Sequence, residues 1–103
     1  LKILRDFAGR RVRLTEERAE HILEHPEMRG LESNLADTLR APQLAVESVS
    51  DESVLLCYRF VPNTLVGDKW LCVVVKYGRQ GAFVLTAYLT DKPKKGKQLW
   101  PRE

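Results

Sequence analysis

The 103-residue chain predicts an α+β domain in which two N-terminal helices pack on a four- to five-stranded antiparallel sheet. Two observations carry that prediction. Apolar residues recur at helical spacing before Pro26 and again before Pro42. Beyond them lie three long runs rich in Val, Leu, Tyr and Phe, joined by linkers too short for a crossover helix. At 11.8 kDa the chain makes one domain, residues 1–103, with one modest core.

The elements follow in order. Gly9–Leu14 alternates weakly and reads as a short edge strand. Thr15 offers a hydroxyl cap, and Glu16 and Glu17 place carboxylates in the first turn, so a helix runs from about Glu16 to His25. Pro26 stops it. Leu31, Leu35, Ala36 and Leu39 predict a second helix from Gly30 or Leu31 to Leu39, closed by Ala41-Pro42. Strands follow at Leu44–Val49, Val54–Val61, Trp70–Tyr77 and Phe83–Thr90, with Pro62–Lys69 as a loop. The stretch from Lys92 to Lys97, interrupted by Pro93 and Gly96, is a basic loop pinned by Leu99 and Trp100.

Charge is uneven along the chain. The net value is +3, but residues 1–13 carry +4, residues 91–103 carry +3 and the middle carries −4. Basic ends attract phosphate backbones, although they also occur as solvated tails. No apolar run is long enough for a membrane span, and no cationic stretch leads into an apolar one at the start. Cys57 and Cys72 sit in apolar runs and read as reduced, buried side chains, which suits a cytoplasmic protein.

Alternation along the strands places Leu56, Tyr58, Phe60, Leu71, Val73, Val75, Tyr77, Phe83, Leu85, Ala87 and Leu89 on a core face. Leu55, Cys57, Arg59, Trp70, Cys72, Val74, Lys76, Val84, Thr86, Tyr88 and Thr90 fall on the other, mixed face. Setting Val61 opposite Trp70 and Tyr77 opposite Phe83 brings both Arg59 and Tyr88 opposite Cys72. Those two side chains could then close around a phosphate, with Thr86 and Lys76 nearby. Thr86 and Tyr88 also suit strands for their own sake, and Arg59 could simply reach solvent.

His21 and His25 are the only imidazoles, and helical spacing puts them on one side with Arg18. Imidazole exchanges a proton near neutral pH. The run His21-Ile22-Leu23-Glu24-His25 matches the inverted zinc-protease pattern. It lacks a third ligand and lies in a Glu-rich helix where such a pattern arises by chance, so no metal and no cofactor is expected.

Arg11-Val12-Arg13-Leu14-Thr15, then Glu17-Arg18, His21-Ile22 and His25-Pro26, precede Phe83-Val84-Leu85-Thr86-Ala87-Tyr88, Lys95-Gly96 and Leu99-Trp100. Over Gly9 to Trp100 this arrangement resembles small phage- and bacteria-associated members of the barnase-like, EndoU-like, colicin-like and RelE-like endoribonucleases. The resemblance implies a barnase/RelE-like fold, an RNA site on the exposed sheet face and cleavage without metal. It also implies roles as toxins held by an inhibitor or antitoxin protein. Matching candidates for catalysis are His21, His25, Arg59, Thr86 and Tyr88. Arg18, Lys76, Lys92, Lys94, Lys95 and Lys97 would hold flanking RNA phosphates. The chain departs from members with paired histidines on separate elements and has no strand carboxylate, which leaves the base open.

The expected reaction is attack of the RNA 2′-hydroxyl on phosphorus to leave a 2′,3′-cyclic phosphate. His21, better fixed than His25, would transfer the proton, and Arg59 would clamp the phosphate. The alternative is a non-catalytic RNA- or protein-binding module of the same fold.

Overall fold

The computed structural model describes residues 1–102. Among them, seven strands form one mixed sheet and two α-helices pack on one of its faces. The chain runs β1 (Lys2–Arg5), β2 (Arg11–Leu14), α1 (Glu16–Leu23), α2 (Glu32–Arg40), β3 (Leu44–Glu47), β4 (Val54–Thr64), β5 (Gly67–Gly78), β6 (Gly81–Thr90) and β7 (Lys97–Trp100). The spatial order is β1-β2-β6-β5-β4-β3-β7. The α+β class is as expected, but the sheet is larger than four or five strands and is not wholly antiparallel. β2 runs parallel to β6, a pairing made possible because the helices and the meander intervene between them.

The helices begin and end for local reasons. The Thr15 side chain accepts the Arg18 amide, and Glu16 and Glu17 fill the first turn of α1. α1 ends at Leu23, with Glu24 as its C-cap, two residues earlier than the proline alone requires. His25 is therefore outside the helix and precedes a short 3-10 turn, Pro26–Met28. Ile22, Met28, Leu31, Leu35 and Leu39 bury against Val12, Leu14, Leu71, Val73, Val75, Val84 and Ala87 of the sheet.

The meander strands extend further than expected. β4 and β5 continue to a tight connection at Leu65-Val66, so Pro62–Lys69 is not an open loop. Pro62 is tolerated because β3 pairs with β4 only as far as Tyr58, leaving its missing donor unneeded. Asn63 takes a left-handed conformation (φ 58°), and its amide donates to Asp68 Oδ1 at 2.8 Å. Here β4 carries one residue more than β5: Thr64 faces Gly67, but Val61 faces Lys69.

That bulge moves every upstream side chain of β4 to the other face. Tyr58, not Arg59, lies opposite Cys72, and Arg59 lies opposite Leu71. Leu56, Tyr58 and Phe60 are on the face without helices, whereas Leu55, Cys57 and Arg59 are on the helix side. A second bulge, between Val74 and Val75 of β5 and their β6 partners, exchanges Phe83 with Val84 while keeping Tyr88 opposite Cys72. Val84 consequently joins the helix-side core.

The connection from β6 to β7 crosses the helix-free face as a strap. The Lys94 amide donates to the Tyr58 hydroxyl at 3.0 Å, and Gly96 lies against Val46 and the Glu47 carbonyl. A Cβ at position 96 would overlap that carbonyl oxygen, so the strap can lie this close only with glycine. Gly96→Ala should lower unfolding stability by about 1–3 kcal/mol and loosen the strap. Urea unfolding measures the first effect, and faster proteolysis after Lys94 and Lys95 measures the second.

Candidate nucleic-acid interface

The helix-free face is built around a row of three side chains, Tyr58, Cys72 and Tyr88, at matched positions on β4, β5 and β6. Val46, Val54, Leu56 and Val74 surround it with an apolar floor, and Leu44, Trp70 and Leu85 pack at its margin. Tyr58 is fully buried beneath the strap, while Tyr88 is half-buried. Burial holds the Tyr58 phenol up to about 12 and the Cys72 thiol up to about 11, and it raises Tyr88 well above the ordinary tyrosine value. All three are protonated at neutral pH, so the row can donate hydrogen bonds but cannot act as a base.

Cations frame this floor. The Lys94 ammonium is 6.0 Å from the Tyr88 ring centroid, and Lys92 and Lys95 extend exposed from the same strap. Lys97 begins β7 at the far edge, opposite Glu47. Lys76 shares the face but is held by Asp51 at 2.6 Å, which depresses the Asp51 carboxyl far below its usual range. Lys69 is likewise tied to Asp91. On the other flank Arg13 lies 6.0 Å from the Phe83 ring, anchored to the Gln80 carbonyl at 2.9 Å. Arg11, two residues along β2, projects on the same side. Aromatic surface is also open here: Phe60 is 41% exposed and meets Trp70 edge to face at 5.4 Å.

The site residues expected from the sequence are divided between two faces. Thr86, Tyr88, Lys76, Lys92, Lys94 and Lys95 share the helix-free side. Arg59 does not. Its guanidinium donates to the Ala41 carbonyl at 2.7 Å, at the C-terminal end of α2, where a cation suits the helix dipole. His21 and His25 do not join them either, because α1 covers the opposite face and both imidazoles point to solvent from it. They lie edge to face, 6.3 Å apart, with Glu24 and Glu27 as neighbours at 3.9 and 3.8 Å. Arg18 borders the same acidic surface with Glu17, Glu20 and His21. The groove expected to unite an imidazole, Arg59 and Tyr88 is therefore not formed. Among the described residues no group of three His, Cys, Asp or Glu side chains is placed to hold a metal ion.

Tyr58, Arg13 and Phe83 are the residues of this face that sequence reasoning missed. Pro62-Asn63, one residue from the end of the predicted strand, is the signal that could have revealed the bulge and with it Tyr58. Both cysteines are free and buried, as expected.

Charge follows the two layers. Residues 15–41, which hold the helices, contain seven acidic and three basic side chains, a net −4. The strands and their connections therefore carry +7 of the chain's +3 total. Compared with family models, curated proteins and solved structures, the chain matches none.

The three tyrosines, Tyr58, Tyr77 and Tyr88, are all raised by burial. Native protein should thus show no tyrosinate absorbance on passing pH of about 10, the free phenol value. Above that pH the unfolded state loses protons that the folded state keeps, so folding stability should fall. An ultraviolet pH titration run beside circular dichroism checks both, and tyrosinate forming near the free value in folded protein would contradict the burial.

Proposed function

We propose that this chain is an RNA-engaging domain of the endoribonuclease-like class, and that it binds single-stranded RNA across the helix-free face. One observation supports this most strongly: the strap lays a row of lysines over an aromatic floor on the layer that carries the positive charge, while the glutamates gather on the opposite layer. Phosphates are drawn to such a face and repelled from the other. Exposed aromatic rings beside cations suit unstacked bases better than a duplex, whose bases are hidden.

The lysines would bind phosphates, with Arg11 and Arg13 extending the track across β2. Phe60 and Trp70 offer ring surface for a base. Thr86 and the protonated Tyr88 would donate hydrogen bonds to phosphate or ribose. His21, His25, Arg18 and Arg59 have no part in this binding reading, because they lie on the helix side.

Cleavage to a 2′,3′-cyclic phosphate is the second reading, favoured by the Tyr88 phenol lying beside the Lys94 ammonium. In it the 2′-hydroxyl attacks phosphorus, Lys94 offsets charge on the non-bridging oxygens and Tyr88 gives its proton to the departing 5′-oxygen. The acid on this face, Asp51, is occupied by Lys76, so the 2′-hydroxyl proton would pass to water. That arrangement makes a slow enzyme and leaves binding as the reading best supported. Cytoplasmic placement and restraint by an inhibitor protein belong to the same proposal. No helix among the described residues is long and apolar enough to cross a membrane.

Fluorescence anisotropy with a short labelled RNA should show affinity falling steeply with salt. Lys94→Gln combined with Lys95→Gln should reduce the logarithmic slope by about 1.4, at roughly 0.7 per lost phosphate contact. Salt-insensitive binding, or an unchanged slope in the double variant, would overturn the assignment of this face.

Cleavage is read separately, in chelator, by the appearance of cyclic-phosphate ends. Tyr88→Phe should suppress it about tenfold or more, while His21→Ala and His25→Ala leave it intact. Loss of cleavage in the histidine variants alone would move the chemistry to the helix side. Intact RNA with retained affinity would make the domain a binder.

A further inference from the structure

A cleft of about 890 Å³ opens away from the proposed RNA face, between the β1–β2 turn and β7. Its lining includes Phe7, Arg10, Ser53, Tyr77, Trp100 and Arg102. That volume is within the range of pockets that take compact organic ligands. The RNA track uses none of these groups, and Phe7, Tyr77 and Trp100 edge the helix-side core while keeping a face on the cleft.

The cleft is organised by one buried carboxylate. Asp6, with no side-chain exposure, accepts from the amides of Ala8 and Arg10 at 2.9 and 2.8 Å, from Arg10 Nε at 2.8 Å and from the Tyr77 hydroxyl at 2.7 Å. Those contacts fix the Arg10 guanidinium over the Tyr77 ring, with Cζ 4.4 Å from its centroid and 5.7 Å from that of Phe7. Only Nε is used. The two terminal Nη groups have no acceptor among the described residues, and 48% of the side chain remains exposed. An arginine held by its inner edge, with the outer edge open, is a preformed two-donor fork for an anion. Arg102 supplies a second cation at the rim.

Beside the fork stands an aromatic wall. Trp100 packs on Phe7 at 5.5 Å, and both line the cleft. A ring against that wall and an anion on the fork describe one kind of ligand, a planar aromatic group carrying a phosphate. We propose that this cleft binds a nucleoside 5′-monophosphate, its base against Trp100 and its phosphate on the free edge of Arg10. The same chemistry is presented by a free mononucleotide and by the 5′-phosphorylated end of an RNA strand. The site stands independently of the RNA-binding proposal.

Trp100 provides its own reporter once Trp70 is replaced. In a Trp70→Phe protein, AMP and UMP should quench tryptophan fluorescence saturably, with adenosine at least about tenfold weaker. Arg10→Lys keeps a cation for Asp6 but removes the fork, and it should weaken AMP binding about tenfold. Arg102→Gln, remote from Asp6, should weaken it about threefold and serves if Arg10→Lys fails to fold. Lys94→Gln with Lys95→Gln should leave AMP affinity unchanged even where RNA affinity falls.

The proposal fails if neither nucleotide quenches saturably, if AMP and adenosine bind alike, or if the strap variants abolish nucleotide binding. A 5′-phosphorylated tetranucleotide that competes better than AMP identifies a strand end as the ligand. A weaker one identifies the free nucleotide.

Discussion

The function-bearing geometry depends on one extra residue in β4. Between Val61 and Thr64 that strand bulges against β5, and the left-handed Asn63, held by Asp68, absorbs the change. Because side chains alternate, the bulge decides which half of β4 meets the helices. It sends Cys57 into the core beneath them and Tyr58 to the other side, where its hydroxyl receives the strap. Without the bulge Arg59 would take the place of Tyr58. The strap would then lose its acceptor, and a guanidinium would stand beside the apolar side chains of Val46 and Val74.

The strap in turn sets the electrostatics. A Lys-rich segment joining β6 to β7 has to cross three strands, and it could have run far out in solvent. Gly96 and the Lys94–Tyr58 hydrogen bond draw it onto the sheet instead. Tyr58 stays protonated because burial disfavours its anion, so it can also serve as a donor while it accepts from the backbone. Backbone contacts do the anchoring, which leaves the ammonium groups of Lys92 and Lys95 free of any protein acceptor among the described residues. Lys69 and Lys76, by contrast, are already engaged by Asp91 and Asp51, and they brace the sheet more than they advertise charge.

Much of this was legible beforehand, and the failures have a common cause. Both helices, the four later strands and the basic connection were read from apolar periodicity, prolines and Thr15, all of which act within a few residues. The position of Tyr88 opposite Cys72 is also correct, although Tyr77 pairs with Ala82 and not with Phe83, because the extra residue of β6 at Leu85 offsets that one-residue error. Arg59 is misplaced because treating Pro62–Lys69 as a loop and setting Val61 opposite Trp70 passes over the extra residue at Pro62-Asn63, which puts Val61 opposite Lys69 instead. β1 and the parallel β2–β6 pair were missed or mistaken for an edge because their partners lie far away in sequence. The histidines were correctly placed on one side of a helix. Their periodicity could not tell which face of the sheet that helix would cover.

That last point has a physical resolution in the helix itself. α1 is short, and its buried residue is Ile22, so His21 beside it is turned outward by the same rotation that drives Ile22 inward. Turning His21 toward the sheet would expose Ile22 and bring a Glu-rich flank with it. The acidic side chains at 16, 17, 20, 24 and 27 must therefore remain on the outer surface, and the imidazoles remain among them. A phosphate backbone approaching the histidines would meet those carboxylates first. On the helix-free side it meets ammonium and guanidinium groups, so the partition of charge between layers follows from the apolar stripe that packs the helices down.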